Sequence, residues 1–373
     1  MAKLRRAAAI LFTAAVAAGC VMAFRRLPGC LPLRAAAVLH DPRSALWAER
    51  AIQQESTATA AKPRRTPLPQ STTTPAPVPT PQPTPAKTQQ PSPTPTAPMV
   101  TAPPGVESTA PILERHFGQG AGDGYIALQA GSIKNATDHP DSDLSAAVQG
   151  LLPFTVEPDS PEPQVLILHT HATECYQNWD ELIYDTTATG RTKDTSRNVC
   201  AVGQVMTDVL NAAGITTLHD ETLHDSPSYT ESYARSAQTA RSYLAKYPSI
   251  KVVLDVHRDA IGSGEAYIKP VAEVNGEKTA QVMIIAGCDN GSTVNLPNWR
   301  LNLRFAAAWE ERMEALTPGL TRPVLCGYRF YNQDVCTGAL LVEVGGHANT
   351  LEEAVRAGEY AASALAALLL SAP

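Results

Sequence analysis

The stretch VLILHTHATECY, residues 165–176, places two imidazoles and a carboxylate, His169, His171 and Glu174, directly after four aliphatic residues. Two other aliphatic runs end in similar chemistry. KVVLDVHRDA (251–260) carries Asp255, His257, Arg258 and Asp259, and GALLVEVGG (338–346) holds Glu343 between Val342 and Val344. Two histidines and one glutamate make a common catalytic zinc shell, which leaves a fourth position for water and lowers that water's pKa toward about 7. A second carboxylate outside the shell can then take a proton and pass it to a leaving nitrogen. Glu343 suits that role, because a carboxylate in so apolar a run is costly to bury unless something partners it. Each piece also has a plainer reading: a hydrogen-bonded loop histidine, or a core ion pair for Glu343 with Arg258. Asp255 and Asp259 are expected to orient His257 or Arg258 rather than to bind metal. It is the recurrence of such residues at three strand ends that points to a metal site.

Those strand ends need a sheet that brings them together. QVLILHT, ITTLH (215–219), KVVLDVH, TAQVMIIAG (279–287) and GALLVEVGG read as short buried strands. Between them, 198–214 places Val199, Val202, Met206, Val209 and Leu210 at helical spacing, with Gly214 just past the end. Helices are expected over 231–247 and 298–316. A last one starts near Thr350, with Glu353 completing a capping box. Near-continuous aliphatic strands alternating with helices predict an α/β fold, a mostly parallel sheet with helices on both faces. In such sheets, sites form beyond the carboxyl ends of the strands, which is where these residues fall.

The remainder of the chain divides by composition. Residues 7–24 lack charge and lie between Lys3, Arg5 and Arg6 on one side and Arg25 and Arg26 on the other, which predicts a single-pass membrane anchor within residues 1–30. A cleaved signal peptide, or a lipoprotein processed at Cys20, is the alternative. From Lys62 to Gly105, 15 of 44 residues are proline. That density favours extended backbone and leaves too little apolar surface to fold. Residues 31–105 are therefore expected to be a disordered Pro/Thr-rich linker holding the rest of the chain away from the membrane, on its outer side. Residues 106–150 read as a loosely structured lead-in and 151–373 as the catalytic domain. The net charge of −6 comes with no basic stripe, which argues against nucleic acid. The seven cysteines form no CxxC pair, which argues against a zinc ribbon.

LILHTHATECY, HDETLHDSPSYTESYARS, VVLDVHRDA, NWRLNLRFA, the PGL and RP of PGLTRP, YNQD and GALLVEVGGHANTLEEA together resemble the stage II sporulation protein P family, over about residues 160–373. The resemblance implies a zinc-dependent N-acetylmuramoyl-L-alanine amidase-like hydrolase of the cell wall in endospore-forming bacteria. Such an enzyme cuts the amide between muramic acid and the stem peptide during engulfment. Endopeptidase activity at the same site, or an inactive wall-binding scaffold, is the alternative. It implies peptidoglycan as substrate, and as partners stage II sporulation protein D, a lytic transglycosylase, and stage II sporulation protein M, a membrane protein. By position, it implies His171, Glu174 and His257 as zinc ligands and Glu343 as the catalytic glutamate. His169 is the reserve ligand. The stretch KDTSRNVCAV, where such amidases carry their zinc glutamate, has none, so Glu174 is the nearest candidate. His219 and His224 are expected to line the rim as substrate or structural contacts.

Overall fold

Alternation along the strands decides the architecture. A computed structural model describes residue 106 and residues 108–371. The anchor expected at residues 7–24 and the linker to residue 105 lie outside the described residues. Among those described, no helix is long and apolar enough to cross a membrane. The strands are β1 (Thr109–Arg115), β2 (Tyr125–Ala127), β3 (Ser132–Ala136), β4 (Val165–Leu168), β5 (Ile183–Asp185), β6 (Thr217–His219), β7 (Val252–Asp259), β8 (Gly262–Ser263), β9 (Ala266–Val274), β10 (Glu277–Ala280), β11 (Val282–Gly287), β12 (Val324–Gly327) and β13 (Ala339–Gly346). The helices are α1 (Asp141–Ala147), α2 (Val199–Ala212), α3 (Ser232–Lys246), α4 (Trp299–Leu316) and α5 (Leu351–Ser371).

The main sheet has eight strands in the order β2-β3-β12-β11-β13-β7-β4-β6. It is mixed, with antiparallel joints at β2–β3 and β11–β13 and parallel pairing elsewhere. Five of its seven joints are parallel, but TAQVMIIAG breaks into β10 and β11, and β11 runs against β13. A second sheet, which the sequence reading did not anticipate, is built on β9. It pairs β9 with β10 and β8 antiparallel and with β1 in parallel, and β1 pairs with β5 antiparallel. The stretch expected to be a loose lead-in therefore supplies β1, β2, β3 and α1, and it belongs to both sheets.

The two faces of the main sheet are unlike. Val165 and Ile167 of β4, Val252, Leu254 and Val256 of β7, and Leu340, Val342 and Val344 of β13 join the large core with α2, α4 and α5. The opposite face carries a smaller cluster, Leu166, Leu168 and Val253, covered by Ala240 of α3. Since side chains alternate along a strand, Asp255, His257 and Glu343 fall on this second face. Local signals behave as read: Asn198 caps α2 by accepting from the Cys200 amide at 2.9 Å, and Gly214 follows that helix at φ +80°.

The capping box opening α5 forms as expected. Thr350 N donates to Glu353 Oε2 at 3.1 Å, and Glu353 N donates to Thr350 Oγ1 at 3.2 Å. Glu353 also lies 2.7 Å from Nζ of Lys269, a β9 lysine only 2% exposed, and so ties α5 to the second sheet. Replacing Glu353 with Ala removes the cap and leaves a buried ammonium without its nearest partner. Urea titration should show a loss of about 3–5 kcal/mol, the cost of stripping one member from a buried pair; a loss below about 1 kcal/mol would show that the pair is not holding the sheet to the helix.

Candidate active site

The site starts where β4 ends. Thr170 donates to Asp255 twice, N to Oδ1 at 2.7 Å and Oγ1 to Oδ2 at 2.6 Å, so the turn leaving β4 is clamped to the neighbouring strand. The turn then closes through the Glu174 amide onto His171 O at 2.9 Å. This puts His171 and Glu174 beside His257, which stands opposite Glu343 in the β7–β13 register. The His171 and His257 rings are 5.4 Å apart, edge to face, and Glu174 Oε2 lies 3.5 Å from His257 Nδ1. His171, Glu174 and His257 are therefore neighbours, with Glu343 one strand across from His257, on the face where α3 packs.

His169 goes elsewhere. Alternation turns it under α2, where Nδ1 donates to Val256 O at 2.8 Å and Nε2 sits 2.8 Å from His219 Nε2. A Cβ on Gly203 of α2 would lie 2.6 Å from both rings, so that helix is seated directly on the pair. Burial first, and the His219 ring second, bring His169 down to about 3. It is thus a neutral imidazole that donates at Nδ1 and accepts at Nε2. The reserve ligand is not placed with the cluster, and His219 packs with it rather than on the rim. His224 is structural: Nδ1 donates to His169 O at 2.9 Å, and Nε2 meets Thr239 Oγ1 at 2.9 Å.

The charges around the cluster are arranged in opposition. His257 lies between Asp255 Oδ1, 2.8 Å from Nε2, and Glu174. Burial alone would lower its pKa, but the Asp255 charge leads the effects that raise it well above the usual value. Burial would likewise raise Glu174, yet the His257 hydrogen bond and the Arg258 and His257 charges carry it down to about 2. His171 is held at about 4 by burial and then by His257. Glu343 is pushed up to about 8, by burial first and the Asp259 charge second. Its Oε2 has no hydrogen-bond partner. Arg258, the imagined ion-pair partner, is occupied elsewhere, donating from Nε to Cys175 O and from Nη2 to Gly190 O, both at 2.8 Å.

Several contributors carried no local signal in the sequence. Asp225 accepts from Thr173 N and Oγ1 and from Arg191 Nη1. Arg191 reaches Glu174 Oε1 at 3.6 Å. Tyr229 stacks on the His171 ring at 4.5 Å. Arg322, 6% exposed, pairs with Asp259 at 3.0 Å. Asp225, Tyr229 and Arg322 all lie inside stretches that carried the family resemblance, but nothing in their spacing places them at the site.

Among the described residues, no group of three or more His, Cys, Asp or Glu side chains stands in an arrangement that holds a metal ion. The donor chemistry nonetheless fits one. Two imidazoles and a carboxylate converge, and His257 Nε2, though 2.8 Å from Asp255, is buried without a properly directed hydrogen bond. All five cysteines of the described residues are free.

Fold and site together define an α/β protein whose polar cluster lies at the carboxyl ends of β4, β7 and β13. The family model for Stage II sporulation protein P (SpoIIP) matches residues 116–366, and the chain belongs to that family. The Stage II sporulation protein P of Bacillus subtilis (strain 168) is 29% identical over 209 residues, which are 53% of this chain and 49% of that protein. The chain thus matches about half the length of that curated relative. Among solved structures, it is similar to an N-acetylmuramoyl-L-alanine amidase of Nostoc punctiforme (TM-score 0.34, 12% identity, 57% of this chain and 97% of that one). It is similar also to the CwlD amidase from Clostridioides difficile in complex with the GerS lipoprotein (TM-score 0.34, 10% identity, 56% and 96%). Likeness at this level bears on neither substrate nor metal.

Asp255 is the testable centre of the site. Asp255→Asn keeps the shape but offers one acceptor oxygen where the carboxylate offered two. Thermal or urea unfolding should show a loss of about 1–3 kcal/mol. The His171 and His257 ring resonances should broaden or shift together. If those rings are undisturbed in the folded variant, Asp255 does not organise the site.

Proposed function

We propose that this protein is a peptidoglycan hydrolase acting in sporulation, and that it cuts the amide between muramic acid and the stem peptide. The observation that carries the reading is Glu343: a half-buried glutamate whose buried Oε2 has no partner and whose pKa is raised, one strand across from His257 and within reach of the Glu174 charge. His171, Glu174 and His257 are the residues that would hold a zinc ion, and zinc bound there would supply Lewis acidity toward water and the scissile carbonyl. Glu343 acts as the proton carrier. Its Oε2 accepts a proton from the attacking water and returns it to the amide nitrogen as that leaves. Asp255 keeps His257 in place, and Arg191 and the Arg258 amide keep the Glu174 carboxylate charged and aimed.

The chemistry is tested with the full chain on defined muropeptides. Glu343→Gln should lower the rate on the order of 10²-fold or more while leaving zinc content and fold intact. His257→Ala should strip most of the zinc from a protein that remains folded. Mass spectrometry of the products separates a muramoyl amide cut from a cut within the peptide. Normal turnover by folded, zinc-loaded Glu343→Gln would remove the glutamate from the mechanism.

The family and the layout of the chain support a setting at the membrane. Residues 7–24 would tether the enzyme outside the cell membrane, and residues 31–105 would let it reach the wall. Stage II sporulation proteins D and M would be its partners. Fractionation should find the full-length chain in membranes. Its rate on intact wall should rise several-fold when the transglycosylase is added, and equal rates with and without that partner would remove the dependence.

A further inference from the structure

A cavity of about 330 Å³ opens beside the site, on the far side of the loop that carries Glu174. Cys175, Trp179, Tyr184, Arg191, Arg197 and His347 line it. It begins where the site ends, because Cys175 follows Glu174 and Arg191 reaches the Glu174 carboxylate at 3.6 Å. Its volume is at the lower end of the range for small-ligand pockets.

The walls are fixed. Trp179 Nε1 donates to Ile183 O at 2.9 Å. Tyr184 stacks on Tyr267 at 3.9 Å, and His347 meets both rings edge-on at 5.1 Å. His347 is 6% exposed, and its ring lies against the Asp259 backbone. Its ring completes the aromatic wall that Tyr184 begins. A neutral imidazole offers one donor and one acceptor, the complement of a peptide group.

The charge at the cavity is specific as well. Arg191 is committed to Asp225 and Glu174. Arg197 donates from Nη2 to Asn178 Oδ1 at 2.6 Å and takes part in none of the ion pairs found among the described residues. The acid lining the cavity, Asp185, is turned to its own loop, where Oδ1 accepts from Thr187 N and Oγ1. Arg197 is exposed at the mouth of the cavity, and a guanidinium with spare donors there matches a carboxylate through its planar fork.

We propose that this cavity is a subsite for a free carboxylate of the wall peptide, with Arg197 as its anchor, so that the protein separates stem peptides with free carboxylates from those whose carboxylates are amidated. The proposal rests on the peptidoglycan reading above and adds the peptide chemistry that the site selects.

The test uses the full chain and two synthetic N-acetylmuramoyl pentapeptides, one with free carboxylates and one with the same groups as carboxamides. The carboxamide form should show a KM on the order of tenfold higher at similar kcat. Arg197→Ala should erase that preference by raising KM for the carboxylate form alone, and Arg197→Lys should retain part of it. Thr189→Trp, which fills the cavity from an exposed position, should also erase the preference, and it serves as the second variant should Arg197→Ala not fold. Equal KM values in the unaltered chain, or an equal loss on both peptides in Arg197→Ala, would overturn the subsite. If the unaltered chain cleaves neither peptide, the amidase reading fails, and calorimetric binding of the same peptides then decides the cavity separately. Tighter binding of the carboxylate form that is lost in Arg197→Ala sustains the subsite, and equal or absent binding overturns it.

Discussion

The Asp255 carboxylate is the point on which the site depends. It is buried, and both oxygens are used: Thr170 N and Oγ1 hold the turn after β4, and His257 sits against Oδ1. Burial on its own would raise its pKa, but the His257 charge and the Thr170 hydrogen bonds hold it down. A buried carboxylate is stable only when its oxygens are met in this way. The same bonds fix the distance between two strand ends, and the separation of His171 from His257 follows from them. The burial cost and the geometry of the site therefore share one origin.

The sheet's unequal faces leave room for this. On one face, α2, α4 and α5 bury the alternating Val and Leu of β4, β7 and β13 in a continuous core. On the other, α3 covers only a small patch around Leu166, Leu168 and Val253. The pleat sends Asp255, His257 and Glu343 to that thinly covered face, while the strands carrying them are held by the core behind. The second sheet closes the flank near β13. Its Tyr267, with Tyr184 and Ala348, packs around Ile112, and Lys269 bonds across to α5.

Much of this could be read in advance where one residue type has one physical use. Aliphatic runs of four to seven residues gave the central strands, Gly214 marked a helix end, and Thr350 with Glu353 marked a helix start. The three strand-end clusters converge as alternation in an α/β sheet requires. What stayed hidden lacked such a signature. β1 (TAPILER) and β9 (AYIKPVAEV) mix exposed charges and prolines with few buried side chains, so they resemble loops until they pair. β11 reads the same whether its partner runs parallel or antiparallel. The choice between His169 and His171 was within reach, since residues 165, 167 and 169 share a face in a strand. The turn at Thr170 carries His171 out of that register and toward Asp255. Arg191, Asp225 and Arg322 come from loops distant in sequence, and only the folded chain brings them to the cluster.

The two glutamates of the site show how one fold can set two roles. Glu174 faces cations and donors: His257, the Arg258 amide, and Arg191 at 3.6 Å. These outweigh its burial and keep it ionised down to about 2. Glu343 is half-buried with its Oε2 shut from solvent, and after burial its strongest influence is the negative charge of Asp259, ahead of His257, Glu174 and Arg322. Arg322 is itself drawn to Asp259 at 3.0 Å, which weakens its hold on Glu343. Environments that push two carboxyls in opposite directions separate a fixed anion from a group that exchanges protons near neutrality. After burial and the His257 hydrogen bond, two residues at the end of one strand, β7, widen that separation: Arg258 turns toward the Glu174 loop, and Asp259 pairs with Arg322 and bears on Glu343. Arg258 and Asp259 thus add to what His257 and burial begin, which is why the DVHRDA stretch matters beyond its histidine.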